Sequence, residues 1–293
     1  MHDPEWLAGR FEESRAHLRM VAYRMLGSSS EADDAVQEAW LRLSRADTSE
    51  VQNLKGWLTT VVARVCLDML RSGKARREEP LNVTVPDAAL SREDALDPER
   101  EAVLAESVGL ALLVVLDTLA PAERLAFVLH DMFDVSFDEI APIVRRSPAA
   151  ARQLASRARR RVRGTPTVPQ AELGRQRKVV DAFLAALRGG DFEGLLAVLD
   201  PNLVVQADFA AAAGGSREIR GAQVWARGAL AFSQQARFAR TALVNGTVGV
   251  VMAPRGRLFR VLRLTITGGR IARIDVVTDP TTLDQLDLAV CEG

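Results

Sequence analysis

The chain has 293 residues, 48% of them apolar, and balances 38 basic against 38 acidic side chains. That length exceeds the ~100–200 residues usual for one domain, so two or three domains are expected, each with enough apolar residues for a core. The lack of a run of about 18 apolar residues, and of a basic-then-apolar start in MHDPEWLAGRFEE, predicts no membrane span and no signal peptide, hence a cytoplasmic protein. Cys66 and Cys291 are the only cysteines, and their separation excludes a disulfide framework and a zinc-ligand spacing; Cys66 reads as helix packing.

Residues 10–77 read as helices. Leu18, Val21, Ala22, Met25 and Leu26 form one apolar stripe, which Gly27-Ser28-Ser29-Ser30 interrupts. Ser30 and Asp33 have the spacing of a capping box that opens a helix through Leu43. A third helix starts at Leu54, with Leu58, Val61, Val62, Val65 and Met69 periodic and Arg64, Asp68 and Arg71 on other faces. Lys74, Arg76 and Arg77 give it a basic exit. From Glu78 to Glu106 nine acidic residues face two arginines, Pro80, Pro86 and Pro98 punctuate the segment, and periodicity is lost. This is a linker, either a solvated spacer or an acidic segment that threads a basic channel.

A second helical group spans about Ser107–Arg163. Ser136 and Glu139 form a capping box ahead of a short amphipathic helix that ends near Val144-Arg145-Arg146. Ser147-Pro148 then opens a helix, a hydroxyl cap followed by a proline suited to the first helical position. Arg145–Arg163 holds eight arginines and no acid, a concentration of positive charge that calls for an extended anionic partner. Ala151, Leu154, Ala158 and Val162 recur at helical spacing, leaving Arg152, Gln153, Ser156, Arg157 and Arg160 outward. Two helices joined so closely make a helix-turn-helix, whose second helix enters the DNA major groove N-terminus first. His130 and Asp131, near the end of an apolar helix, read as satisfied side chains rather than a catalytic pair.

After Leu173 the pattern changes to helices near Arg175–Leu187 and Phe192–Leu199, a strand at Leu203–Ala207 and a helix over Ala222–Phe232. Strands follow at Phe238–Val244, Val248–Met252, Leu258–Thr267 and Ile271–Val277, with turns at Asn245-Gly246, Arg255-Gly256 and Gly268-Gly269. This order predicts an α+β domain with a curved antiparallel sheet.

Phe11–Arg77, with Asp33-Asp34-Ala35-Val36-Gln37-Glu38-Ala39-Trp40-Leu41-Arg42-Leu43 and Leu54-Lys55-Gly56-Trp57-Leu58, resembles region 2 of the extracytoplasmic-function sigma factors, in the sigma-70 superfamily. Leu119–Phe127 with Phe137-Asp138-Glu139-Ile140-Ala141 resembles their region 4. The C-terminal part resembles the SnoaL-like, cystatin-type fold through Ile219-Arg220-Gly221, Val244-Asn245-Gly246, Gly268-Gly269-Arg270-Ile271 and Asp279-Pro280-Thr281-Thr282-Leu283. It departs where relatives carry a glycine run after the aspartate, since Asp208 is followed by Phe209-Ala210-Ala211-Ala212-Ala213. It departs again at Asp279-Pro280, where an asparagine-proline is usual.

The resemblance implies a sigma region 2 bundle over 1–77, an acidic linker over 78–106, a region 4 helix-turn-helix over 107–164, a linker over 165–173 and a SnoaL-like domain over 174–293. It implies a sigma factor that binds core RNA polymerase and directs promoter recognition, with the C-terminal domain regulating it through contact with the sigma domains or through a small-molecule ligand. Asp33, Asp34, Gln37, Glu38 and Trp40 would face polymerase. Arg64, Arg71, Lys74, Arg76 and Arg77 would grip the melted minus-ten element. Ser147, Arg152, Gln153, Ser156, Arg157, Arg160 and Arg161 would meet the minus-thirty-five element, Arg152 and Gln153 at base edges and Arg157, Arg160 and Arg161 at phosphates. Asp208 and Trp225 are the candidates for lining a ligand pocket. Because no histidine or tyrosine follows Leu173, the C-terminal domain lacks the usual acid-base partners and is expected not to be an enzyme. No cofactor or metal is implied. The competing readings are a ligand-responsive helix-turn-helix regulator and a SnoaL-type enzyme with attached DNA-binding units.

Overall fold

The computed structural model describes residues 4–46, 51, 53–77, 109–208, 217–254 and 258–291. The acidic linker, the alanine run after Asp208 and the Arg255-Gly256 turn lie outside the described residues.

The chain divides into two compact units. One holds the N-terminal helices together with Leu119–Arg159; the other holds Gly109–Thr118 together with Arg160 onward.

In the first unit, α1 (Pro4–Leu26), α2 (Ser29–Leu43) and α3 (Leu54–Arg77) pack on one another. The stripe Leu18, Val21, Ala22, Met25 and Leu26 is buried on α1, as are Leu58, Val62, Val65 and Cys66 on α3. Helix α2 begins earlier than its expected Ser30–Asp33 box. Ser28 is the cap, its hydroxyl accepting from the Glu31 amide at 3.3 Å. Three consecutive serines all have the needed side chain, and the first takes the cap.

Helix α5 (Pro121–Phe127) runs on into a π-helical turn at Val128–Met132, then α6 (Phe137–Val144) and α7 (Pro148–Arg163) follow. Both hydrogen bonds of the Ser136–Glu139 capping box form, and Arg145 ends α6 in the left-handed conformation at φ 56°. Ser147 Oγ accepts from the Ala150 amide at 3.2 Å and starts α7. Helix α3 packs against α5 and α6, so the two helical groups share one core.

In the second unit, α4 (Leu110–Asp117) is apolar from end to end before Asp117, and Leu110, Leu113, Val114, Val115 and Leu116 are all buried. A helix apolar on all sides needs cover on all sides. It lies against β3 (Ala239–Val244) and β7 (Leu288–Ala289). The remaining strands are β1 (Leu199–Asp208), β2 (Arg217–Arg220), β4 (Thr247–Met252), β5 (Arg260–Thr267) and β6 (Arg270–Val277). Among the described residues they form one sheet in the order β2-β1-β6-β5-β4-β3-β7.

All pairs are antiparallel except β1 with β6, which run parallel. A tight turn forces antiparallel pairing only on the strands it joins, and β1 and β6 are not so joined. Asn245 and Gly246 have φ of 50° and 79°, Gly268 and Gly269 of 59° and 77°, the positive pairs that tight hairpins require. Register breaks in β1 and β5–β6 bend the sheet. Helices α8 (Gln170–Gly189), α9 (Phe192–Val198) and α10 (Ala222–Ala229) supply Phe183, Leu184, Leu195 and Ala226 to a core with Leu203, Val205, Val250 and Ile274 of the sheet. A short helix α11 (Pro280–Asp284) is capped by Asp279, whose carboxylate accepts from the Thr282 amide and hydroxyl, both at 2.8 Å.

Candidate functional site

Helix α2 buries Ala32, Ala35, Val36, Ala39 and Leu43 and turns the opposite face outward. On that outward side Asp33, Asp34 and Gln37 are exposed and Glu38 is half-buried. Arg19 of α1 fixes Asp33 through bonds of 2.6 and 3.2 Å while also donating to Ser29. Glu38 pairs with Arg42 at 3.0 Å. Trp40 is half-buried with its ring 5.1 Å from that of Phe11, so its indole is anchored in the bundle with one side accessible. Sequence reasoning missed Leu41, which is 40% exposed in line with Asp34 and Gln37. Its signal was the helical spacing, since 34, 37 and 41 fall on one ridge.

On α3, Arg64 and Arg71 are both exposed. The spacing of four and three places them with Asp68 along one ridge, away from the buried stripe, as expected. Lys74, Arg76 and Arg77 lie on the backbone of the last turns of the same helix.

On α7 the buried stripe is Ala151, Ala155, Ala158 and Val162, with Leu154 half-buried beside it. Ser147, Arg152, Gln153, Ser156, Arg157, Arg160 and Arg161 are all exposed. The helix is held by pairs that sequence reasoning did not reach. Arg159 bonds to Asp131 at 2.5 Å, and Arg157 to Glu123 at 2.8 Å. Within this ion pair the Arg157 side chain is still 51% exposed. Near the start of α7 the Arg152 guanidinium lies 5.2 Å from the Phe137 ring, which itself stacks on His130 at 3.9 Å. His130 Nδ1 is 3.0 Å from the Val135 carbonyl, so the histidine is packed and hydrogen-bonded.

In the second unit Trp225 is half-buried and stacks on Phe183 at 5.7 Å, against the core. Asp208 ends β1, and the residues after it are outside the described set. No helix among the described residues is long and apolar enough to cross a membrane.

The helical units carry the exposed basic faces of a two-part DNA-binding protein, and their sequences match one known class. Residues 11–77 match Sigma-70 region 2, and residues 109–162 match Sigma-70, region 4. Along nearly its whole length the chain is 35% identical to the Mycobacterium tuberculosis protein named "Probable ECF RNA polymerase sigma factor SigI", covering 97% of each. It is 37% identical to the ECF RNA polymerase sigma factor SigJ of M. tuberculosis, over 92% of this chain and 91% of that protein. A crystal structure of SigJ aligns over 93% of this chain and 96% of that chain, with 35% identity and a TM-score of 0.47. The chain belongs to the extracytoplasmic-function family of sigma-70 RNA polymerase sigma factors.

Proposed function

We propose that this chain engages core RNA polymerase through the outward face of α2 and contacts promoter DNA through α3 and α7. The observation that carries this reading is the division of α7 into a buried alanine–valine stripe and an exposed face bearing Arg152, Gln153, Ser156, Arg157, Arg160 and Arg161. Arginine pairs bidentately with guanine and glutamine with adenine, so Arg152 and Gln153 near the N-terminus of α7 suit base edges. Arg157, Arg160 and Arg161, farther along, suit phosphates. On α3, Arg64 and Arg71 supply charge along one ridge for strands held open, and Lys74, Arg76 and Arg77 follow in its last turns. Asp33, Asp34, Gln37 and Glu38 share α2 with the exposed Leu41 and the half-buried Trp40, a set of acidic, amide and apolar groups that suits a basic protein surface. The protein acts in the cytoplasm, has no catalytic site of its own and needs no cofactor.

The C-terminal domain regulates these contacts, by touching the sigma helices or by taking a ligand near Trp225 and Asp208. Its support is α4: this helix falls within the region 4 match, yet it is buried against β3 and β7 of the C-terminal sheet. Transcription by purified core polymerase with the full chain, on promoter fragments from the source genome, tests the proposal. Specific start sites that vanish with Arg152→Ala and Gln153→Ala together support it. Start sites unchanged by that pair would remove α7 from promoter reading.

A further inference from the structure

Three arginines of α7 are held in two different ways. Arg157 and Arg159 pair with the carboxylates of Glu123 and Asp131. Arg152, exposed near the N-terminal end of the helix, lies with its guanidinium carbon 5.2 Å from the centre of the Phe137 ring. A carboxylate takes up the N–H donors of the guanidinium it holds, whereas an aromatic face attracts the cation through its quadrupole and leaves those donors to another partner. Stacking also fixes the plane of the fork, and bidentate pairing with a guanine edge requires that plane.

Phe137 is itself fixed. It is the first residue of α6, directly after the cap, where the Glu139 amide donates to Ser136 Oγ at 3.3 Å and the Ser136 amide donates to the Glu139 carboxylate at 3.2 Å. Its ring packs on His130, with centroids 3.9 Å apart and planes 32° from parallel. His130 is held in turn: a carbonyl only accepts, so Nδ1 carries the proton and donates to the Val135 carbonyl at 3.0 Å. The Val135 amide donates to the Leu129 carbonyl, also at 3.0 Å, and ties this connection back to the π-helical turn, with Asp134 in the left-handed region at φ 53°.

We propose that Phe137 is a positioning residue for promoter reading: its ring holds the Arg152 guanidinium in the orientation that pairs with one guanine. This rests on the reading of Arg152 as a base contact and adds to it a residue of the preceding helix, which acts through Arg152. An arginine side chain gives up rotamer freedom when it binds, and one already stacked gives up less. A mobile arginine also reaches mismatched bases through other rotamers, whereas a stacked one must first leave the ring. The ring therefore contributes to the choice between bases, on the scale of an exposed cation–π contact, about two- to fivefold in an equilibrium constant.

The test uses the full-length chain with core RNA polymerase, transcribing a preferred promoter and a panel of single-base substitutions across its minus-thirty-five element. The readout is the ratio of preferred to substituted promoter for each protein, so a smaller folded fraction cancels. Phe137→Leu should lower that ratio about two- to fivefold at the one position that Arg152→Ala relaxes, and leave the other positions at the parent value. Phe137→Tyr, which keeps an aromatic face, should retain the parent ratio. Phe137→Leu combined with Arg152→Ala should relax that position no further than Arg152→Ala alone, since the ring then has no guanidinium to hold. Equal loss of discrimination at every position in Phe137→Leu, a Phe137→Tyr protein that behaves like Phe137→Leu, or additive effects in the double variant would each overturn the positioning role. An unaltered Phe137→Leu beside a relaxed Arg152→Ala would overturn it while leaving the base contact standing. If Arg152→Ala itself changes no preference, the base contact fails and the positioning role falls with it.

Discussion

Arg124 of α5, only 2% exposed, points its guanidinium at the backbone carbonyl of Arg24 in the last turn of α1, with Nε and Nη2 both at 3.4 Å. A carbonyl in the last helical turn has no intrahelical donor, so the arginine satisfies a group that would otherwise be buried and unpaired. Arg24 in turn donates to Met132 Sδ at 3.3 Å and lies 5.6 Å from the Phe133 ring. These contacts join the N-terminal bundle to the helix-turn-helix group inside one unit.

Arg124→Ala should therefore cost more than an ordinary surface arginine, about 2–5 kcal/mol, from the cavity and the orphaned carbonyl together. Urea unfolding of the full chain measures it. A loss below about 0.5 kcal/mol would show that the contact is dispensable.

Gly164 and Gly190 both have positive φ, 64° and 68°, but differ in surroundings. A side chain at Gly190 meets nothing within 4 Å, whereas one at Gly164 runs into Ala289. Gly190→Ala should cost about 1–2 kcal/mol for the left-handed backbone alone. Gly164→Ala should cost that plus roughly 1–3 kcal/mol of overpacking, and equal losses would contradict the close approach. Thermal unfolding of the two variants side by side decides it.

His17 is half-buried on α1, 3.2 Å from Thr59 Oγ1 and edge-on to Phe133, with burial and then the Lys55 charge lowering its pKa from 6.5. The folded state thus binds its proton less readily than the unfolded chain. Stability from this group is present above about pH 6.5 and is lost as pH falls through the lower folded value. The stability difference between the parent protein and His17→Gln should change between pH 7.5 and 5.5, the parent losing more on acidification. Parallel curves would exclude the effect.

On α7 the proposed division between base and phosphate contacts gives opposite signatures. Arg160→Ala should weaken binding to all DNA sequences alike and reduce the salt slope by about 0.9. Arg152→Ala should cost about 1–3 kcal/mol on the preferred site and relax choice at one base pair. Fluorescence anisotropy against matched and single-mismatch duplexes at several salt concentrations separates the two.

Removing everything after Gly164 should unfold α4 rather than simply release the sigma helices. Leu113, Val114, Val115 and Leu116 lose β3 and β7, at about 1.5–3 kcal/mol for each side chain returned to water. Dye binding to exposed apolar surface and aggregation of the truncated chain are the expected outcomes. A monomeric, cooperatively folded truncation would refute the dependence.

What was legible in the sequence was local. Ser136 with Glu139, Ser147 with Pro148, the Ala151, Ala158 and Val162 positions of the α7 stripe and the Asn245-Gly246 and Gly268-Gly269 hairpins each involve residues a few positions apart, and all appear in the structure. What was not legible depends on partners distant in sequence. β2 and β7 are four and two residues long and exist through pairing with β1 and β3. The parallel β1–β6 contact, the burial of α4 on the sheet and the Arg159–Asp131 and Arg157–Glu123 pairs likewise carry no local mark. At the candidate site, the exposed arginines of α7 followed from periodicity, whereas Leu41 was masked by its apolar character in a helix otherwise read by its acids.

The most direct test of a two-part DNA contact is abortive transcription by core polymerase with the full chain on one promoter, in parent, Arg71→Ala and Arg152→Ala forms, on closed duplex and on a template already opened over the minus-ten element. Arg71→Ala should lose activity on closed duplex and recover on the opened template, while Arg152→Ala should be impaired on both. If opening the template rescues both variants equally, or neither, α3 and α7 do not divide opening and recognition between them.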